Sequence, residues 1–99
     1  MKNTALRSIR QTAFLCEEYG TSIIVISPGS RNAPLNMAFA RSHRLKCISI
    51  QDERVAAFYA LGAAIRARRI AVLICTSGSA VLNYAPAIAE AYFQQVPML

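Results

Sequence analysis

Hydrophobic positions recur every three or four residues at the start of the chain: Leu6, Ile9, Ala13 and Cys16 share one helical face, and Gly20 offers a stop. Residues 22–27 then form a continuous β-branched run, Ile23-Ile24-Val25-Ile26 between two serines, the signature of a strand buried on both faces. Residues 28–32 are a loop by composition, and Pro34 suits the first turn of a short helix carrying Leu35, Ala38 and Phe39. Residues 47–50 predict a second strand. Asp52 predicts an N-cap for a helix to about Ala67, with Glu53 in its first turn. Residues 70–75 predict a third strand, followed by the loop 76–79. A helical segment then runs to about Gln95, interrupted at Pro86 by a kink or by a restart capped at Asn83. Residues 96–99 have the pattern of the approach to a fourth strand. Strands alternating with helices need crossovers, so the pattern predicts an α/β fold: a parallel sheet with helices on both faces, three layers in all.

Composition narrows the class. The 99 residues are 55% apolar and 16% charged, against roughly 45–50% and about 25% in ordinary globular chains, which excludes disorder. Four glycines and four prolines exclude a collagenous chain. The longest apolar stretch, 55–65, contains Gly62 and falls far short of the ~20 residues that a membrane span requires. Met1-Lys2-Asn3-Thr4-Ala5 lacks the apolar core of a signal peptide, which points to the cytoplasm. A single domain of this size buries only about 60–65% of its unfolded surface. The apolar excess therefore predicts a large interface or membership in something bigger, with poor solubility or self-association of the chain alone.

Charge and cysteines change little. The net charge is +6, but Arg66, Arg68 and Arg69 close a helix, where cations complement the helix dipole, and Arg41, His43, Arg44 and Lys46 flank another helix end. No aromatic residues interleave with them, so solvated helix ends explain the excess better than a nucleic-acid surface does. Cys16, Cys47 and Cys75 are odd in number, lack metal-ligand spacing and read as small buried hydrophobes.

Candidate chemistry gathers in the loops 27–32, 51–54 and 76–79, which leave the carboxyl ends of the three strands, where open α/β sheets bind ligands. The N–H groups of Gly29, Ser30 and Gly78 can receive an anion, and Arg31 can clamp a carboxylate or phosphate. The same residues also make ordinary strand-to-helix turns. Glu53 follows a strand and opens a helix, 55–65, that is apolar on all sides and therefore expected to be buried rather than half exposed. A carboxylate at the mouth of such a helix is expected to be desolvated. Alternatively, Asp52 and Glu53 only cap the helix, with Arg54 as their salt partner.

The strings SPGSRNAP (27–34), DER (52–54), ALG (60–62), CTSG (75–78) and NYxPAxxEA (83–91) occur in this order. Together they resemble the pyrimidine-binding part of the SEPHCHC synthase family of thiamine-diphosphate enzymes, over about 22–97. Ser79 departs from the family's usual Thr and keeps its hydroxyl. The resemblance implies a thiamine-diphosphate-dependent carboligase that decarboxylates 2-oxoglutarate and adds the succinyl-semialdehyde unit to isochorismate in menaquinone biosynthesis. It implies that Glu53 is the catalytic glutamate that hydrogen-bonds N1′ of the aminopyrimidine. Ser30 and Arg31 would meet substrate, while Pro28, Ser77, Gly78 and Asn83 line the cofactor's pyrimidine side. The family's Gly-Asp-Gly…Asn motif for Mg2+ and diphosphate is absent from these residues. The resemblance therefore implies that a separate domain supplies that site from the partner subunit of a homodimer or homotetramer. Residues 1–99 are accordingly read as the N-terminal part of the pyrimidine domain, inactive alone, with no nucleic acid and no membrane insertion. A non-catalytic dimerisation or anion-binding module, and another thiamine-diphosphate carboligase or decarboxylase, remain as alternatives.

Overall fold

The Ile/Val run and its two flanking strands pair side by side, and the helices between them fall on both sides of the resulting sheet. A computed structural model describes residues 4–99, with side chains from residue 6 onward. The elements are α1 (Thr4–Tyr19), β1 (Ile23–Ile26), α2 (Ala33–Ala40), β2 (Cys47–Ser49), α3 (Glu53–Ala67), β3 (Ala71–Ile74), α4 (Ser79–Leu82) and α5 (Ala85–Gln94). The strands are parallel in the order β2-β1-β3, with Ile24 opposite Cys47 on one side and Val72 on the other.

All four residues of β1 are buried, as expected of the central strand. Its period-2 alternation sorts them between two cores. Ile24 and Ile26 pack with Ala13, Cys16 and Phe39 under α1 and α2, whereas Ile23 and Val25 pack with Ala56, Ala60 and Ala64 of α3. The chain steps from β1 outward to β2, then back past β1 to β3. Right-handed crossovers running in opposite directions put their helices on opposite faces, and α2 and α3 lie accordingly. Ala57, Tyr84 and Ala87 join α5 to α3 in a third, smaller cluster.

The helix termini follow local chemistry. Gly20, at φ 71°, ends α1, and Pro34 occupies the first turn of α2. Asp52 caps α3 by accepting hydrogen bonds from the N–H groups of Arg54 and Val55 at 2.9 and 3.3 Å. At the other end Arg68 takes the left-handed conformation, at φ 57°. Residues 98–99 begin to pair outside β3, the Leu73 N–H donating to the Leu99 carbonyl at 2.8 Å. No described helix is long and apolar enough to cross a membrane.

Three expectations need correction. The helix after Glu53 is not enclosed: its alanines face the sheet and α5, while Val55, Phe58, Tyr59 and Ile65 are exposed. A composition that is apolar all round does not say which side finds a partner within the chain. The segment before Gln95 is two helices, and Asn83 is the C-cap of α4 rather than the N-cap of α5. Tyr84 holds that N-cap place, with Pro86 in the first turn. Of the three cysteines only Cys16 is fully buried; Cys47 and Cys75 are half-buried, and all three are free thiols.

Candidate functional site

Neighbouring strands whose following helices turn to opposite faces leave a crevice at their carboxyl ends. Here β1 and β3 are that pair, and Ser27 sits at the point where they part. It is fully buried (0% exposed) and ties three loops together. Its N–H donates to the Ile74 carbonyl at 2.8 Å, its hydroxyl to the Ile50 carbonyl at 2.8 Å, and its own carbonyl accepts from Asn32 Nδ2 at 3.0 Å. The Ile50 N–H in turn donates to the Ile26 carbonyl at 2.9 Å. Residue 50 is thus pinned on both sides, three positions before Glu53.

The loops after β1 and β3 touch. A Cβ placed on Gly29 would lie 3.0 Å from Thr76 Cβ and 3.2 Å from Asn32 Oδ1, so a side chain here would have to push the Thr76 and Asn32 side chains aside. Asn32 is 2% exposed, and its Oδ1 has no hydrogen-bond partner.

Glu53 is half-buried at the first position of α3. Asp52 is the residue that satisfies the helix's free N–H groups, which leaves the Glu53 carboxylate without a hydrogen-bond or ion-pair partner among the described residues. Arg54 pairs with neither carboxylate; the ion pair among these residues is Arg44–Glu18, at 3.6 Å and exposed. Tyr84 reaches toward the same crevice from α5. It is 8% exposed, and its hydroxyl makes no hydrogen bond of good geometry. Burial pushes its phenol well above the usual tyrosine range, with the Cys75 thiol and then the Glu53 carboxylate adding to the rise and the Ser27 side chain opposing it. Ser27, Cys75, Tyr84 and Glu53 are therefore electrostatic neighbours.

The other residues singled out in the sequence surround these four on exposed positions. Pro28, Ser30 and Arg31 stand on the loop after β1, and Ser77 and Gly78 on the loop after β3; Asn83 ends α4 one turn farther on. Among the described residues Arg31 has no ion pair, and the N–H groups of Gly29, Ser30 and Gly78 have no acceptor. Gly78 adopts φ 87°, a conformation suited to glycine. No group of three metal-ligating side chains occurs among the described residues. Ser27 and Asn32 bound the candidate loop 27–32, and Tyr84 stands beside Asn83, but none of the three was singled out, because their hydrogen bonds and packing arise from contacts that local pattern does not show.

The strand ends thus bring together a carboxylate with no hydrogen-bond or ion-pair partner among the described residues, a buried phenol and two loops whose N–H groups at Gly29, Ser30 and Gly78 lack an acceptor. Residues 10–99 match the family described as "Thiamine pyrophosphate enzyme, N-terminal TPP binding domain". The chain is 54% identical over 85 residues to the 2-succinyl-5-enolpyruvyl-6-hydroxy-3-cyclohexene-1-carboxylate synthase of Flavobacterium johnsoniae, covering 86% of the chain and 15% of that protein. The synthase of the same name from Desulfotalea psychrophila is 52% identical over 95 residues, covering 96% of the chain and 18% of the relative. That of Christiangramia forsetii is 48% identical over 99 residues, covering 100% and 17%. The chain thus spans less than a fifth of the length of each of these curated relatives.

Proposed function

The chain belongs to the family of thiamine pyrophosphate enzymes through their N-terminal TPP binding domain, and from that premise we propose that residues 1–99 form the N-terminal part of a pyrimidine-binding half-site. The activity proposed is that of the synthases it resembles: decarboxylation of 2-oxoglutarate and addition of the remaining four-carbon unit to isochorismate, in menaquinone biosynthesis. The observation that carries the reading is the Glu53 carboxylate, half-buried at the strand-end crevice, with no hydrogen-bond or ion-pair partner among the described residues.

Thiamine diphosphate supplies the electron sink for such a decarboxylation. Glu53 holds and shares a proton at pyrimidine N1′, in a crevice that the buried Ser27 and Tyr84 keep partly dry. Pro28, Ser77, Gly78 and Asn83 line the pyrimidine side. Arg31, a planar fork with no competing ion pair, pairs a substrate carboxylate, and Ser30 donates beside it. Diphosphate and Mg2+ are held by residues other than these, in a partner subunit of a homodimer or homotetramer. The setting is cytoplasmic.

The reading is tested with a chimera in which this chain replaces the matching segment of the Flavobacterium johnsoniae synthase. Product analysis with both substrates is expected to give the cyclohexene carboxylate. Carbon dioxide release that is indifferent to isochorismate would instead favour a different thiamine-diphosphate decarboxylase or carboligase. No cofactor binding at all would leave a non-catalytic module.

A further inference from the structure

Asn32 stands where a helix usually has its cap, yet its side chain caps nothing. An asparagine at an N-cap normally has extended backbone and turns its Oδ1 onto a free N–H of the first turn. Here φ is −94° and ψ 8°, no such bond forms, and Oδ1 is buried without a partner. The side chain points the other way. Its Nδ2 donates to the Ser27 carbonyl at 3.0 Å, from a residue only 2% exposed between two exposed neighbours, Arg31 and Ala33. A buried, unbonded acceptor is destabilising, so the backward bond, and not the cap, accounts for the placing of this amide.

That bond closes a loop. Pro28, Gly29, Ser30 and Arg31 lie between Ser27 and Asn32, and both ends are anchored. Ser27 is held by its N–H to Ile74 and its hydroxyl to Ile50, and the Asn32 carbonyl accepts the Asn36 N–H at 2.9 Å as the first bond of α2. Within the loop the Ala33 N–H reaches the Ser30 carbonyl only at 3.4 Å, a weak bond. We infer that Asn32 is a positioning residue for Arg31: its amide ties the far end of the loop to the end of β1 and so sets where the adjoining guanidinium meets a substrate carboxylate. Without the Nδ2 bond, that end of the loop hangs on α2 alone and the Arg31 backbone shifts. A charge-assisted pair weakens as its alignment is lost.

The inference rests on the functional reading above, in which Arg31 pairs a substrate carboxylate, and the experiment separates the two. In the chimera, Arg31→Ala identifies which substrate Arg31 meets, 2-oxoglutarate or isochorismate, by the KM that rises. Asn32→Ala is expected to raise that same KM about three- to tenfold, as loss of one hydrogen bond would. The other KM and the Kd for thiamine diphosphate are expected to stay within about twofold of the parent. Because Asn32 acts through Arg31, adding Asn32→Ala to Arg31→Ala is expected to raise the KM no further. Asn32→Asp keeps the shape and exchanges the donor for an acceptor. Its KM, relative to the parent's, is expected to be raised at about pH 8 and to recover toward about pH 5.5, where a buried carboxyl regains a proton and donates again. A parental KM in Asn32→Ala beside a raised one in Arg31→Ala overturns the positioning role and leaves the functional reading standing. Additive losses in the double variant, or cofactor binding lost together with substrate binding, overturn it too, because the asparagine would then serve the fold in general. If Asn32→Ala unfolds, Asn32→Asp decides, and a KM raised equally at both pH values counts against the role. Parental KM values for both substrates in Arg31→Ala overturn the pairing and this inference with it, while turnover that depends on Glu53 still upholds the half-site.

Discussion

Asp52 accepts from the Arg54 and Val55 N–H groups, so Asp52→Ala is expected to cost about 1 kcal/mol of stability while Asp52→Asn keeps most of it. The urea midpoint of the chain reads this directly. Arg31 lends itself to a kinetic test: in the chimera, Arg31→Ala is expected to raise the KM for the carboxylate substrate it pairs by about ten- to a hundredfold, as loss of a charge-assisted pair would. Thiol chemistry gives a third. Burial raises the Cys16 and Cys47 thiols above the ordinary value of 9.0, so both are expected to alkylate more slowly than a free thiol at mildly alkaline pH. The native state then keeps its protons where the unfolded chain loses them. Stability from these thiols is present below pH 9.0 and declines as pH rises toward the folded values. At this scale Asp52 and Glu53 were legible because a helix start is written in adjacent residues. Ser27 was not: the bond that gives it meaning spans 23 positions.

Single elements show the same division between local and distant information. The sequence puts Gly29 in a loop and Gly62 in a helix but does not show what surrounds them: a Cβ on Gly29 meets Thr76 at 3.0 Å, whereas one on Gly62 meets nothing within 4 Å. Gly29→Ala is therefore expected to push the loops after β1 and β3 apart, at about 1–3 kcal/mol. Gly62→Ala is expected to stabilise the isolated chain by about 0.5–1 kcal/mol through helix propensity. Paired denaturation curves of the two variants check the opposite signs. The three strands and the first three helices followed from period and caps. The break between α4 and α5 was signalled by Pro86, but its cap was misplaced by one residue, because the cap depends on where the preceding helix ends. The outer side of α3 was read as buried, since residue pattern alone does not reveal whether a partner for Phe58 and Tyr59 lies within the chain.

Taken whole, the molecule has two ordinary cores across one sheet and an apolar surplus on the outside. Phe58 and Tyr59 of α3 and Tyr92 and Phe93 of α5 are all exposed, and large apolar side chains left in water favour association. The isolated chain is expected to self-associate in sedimentation runs of rising concentration, with little response to salt. Phe58→Glu combined with Phe93→Glu is expected to shift it toward monomer; a single monomeric species at every concentration would show that this surface needs no cover. The central claim concerns Glu53 and is tested most directly by Glu53→Gln in the chimera, reading turnover and cofactor binding together. The account predicts a folded protein whose turnover has dropped on the order of a hundred- to ten-thousandfold. Turnover equal to the parent's would contradict it, leaving Glu53 as no more than a residue at the head of a helix.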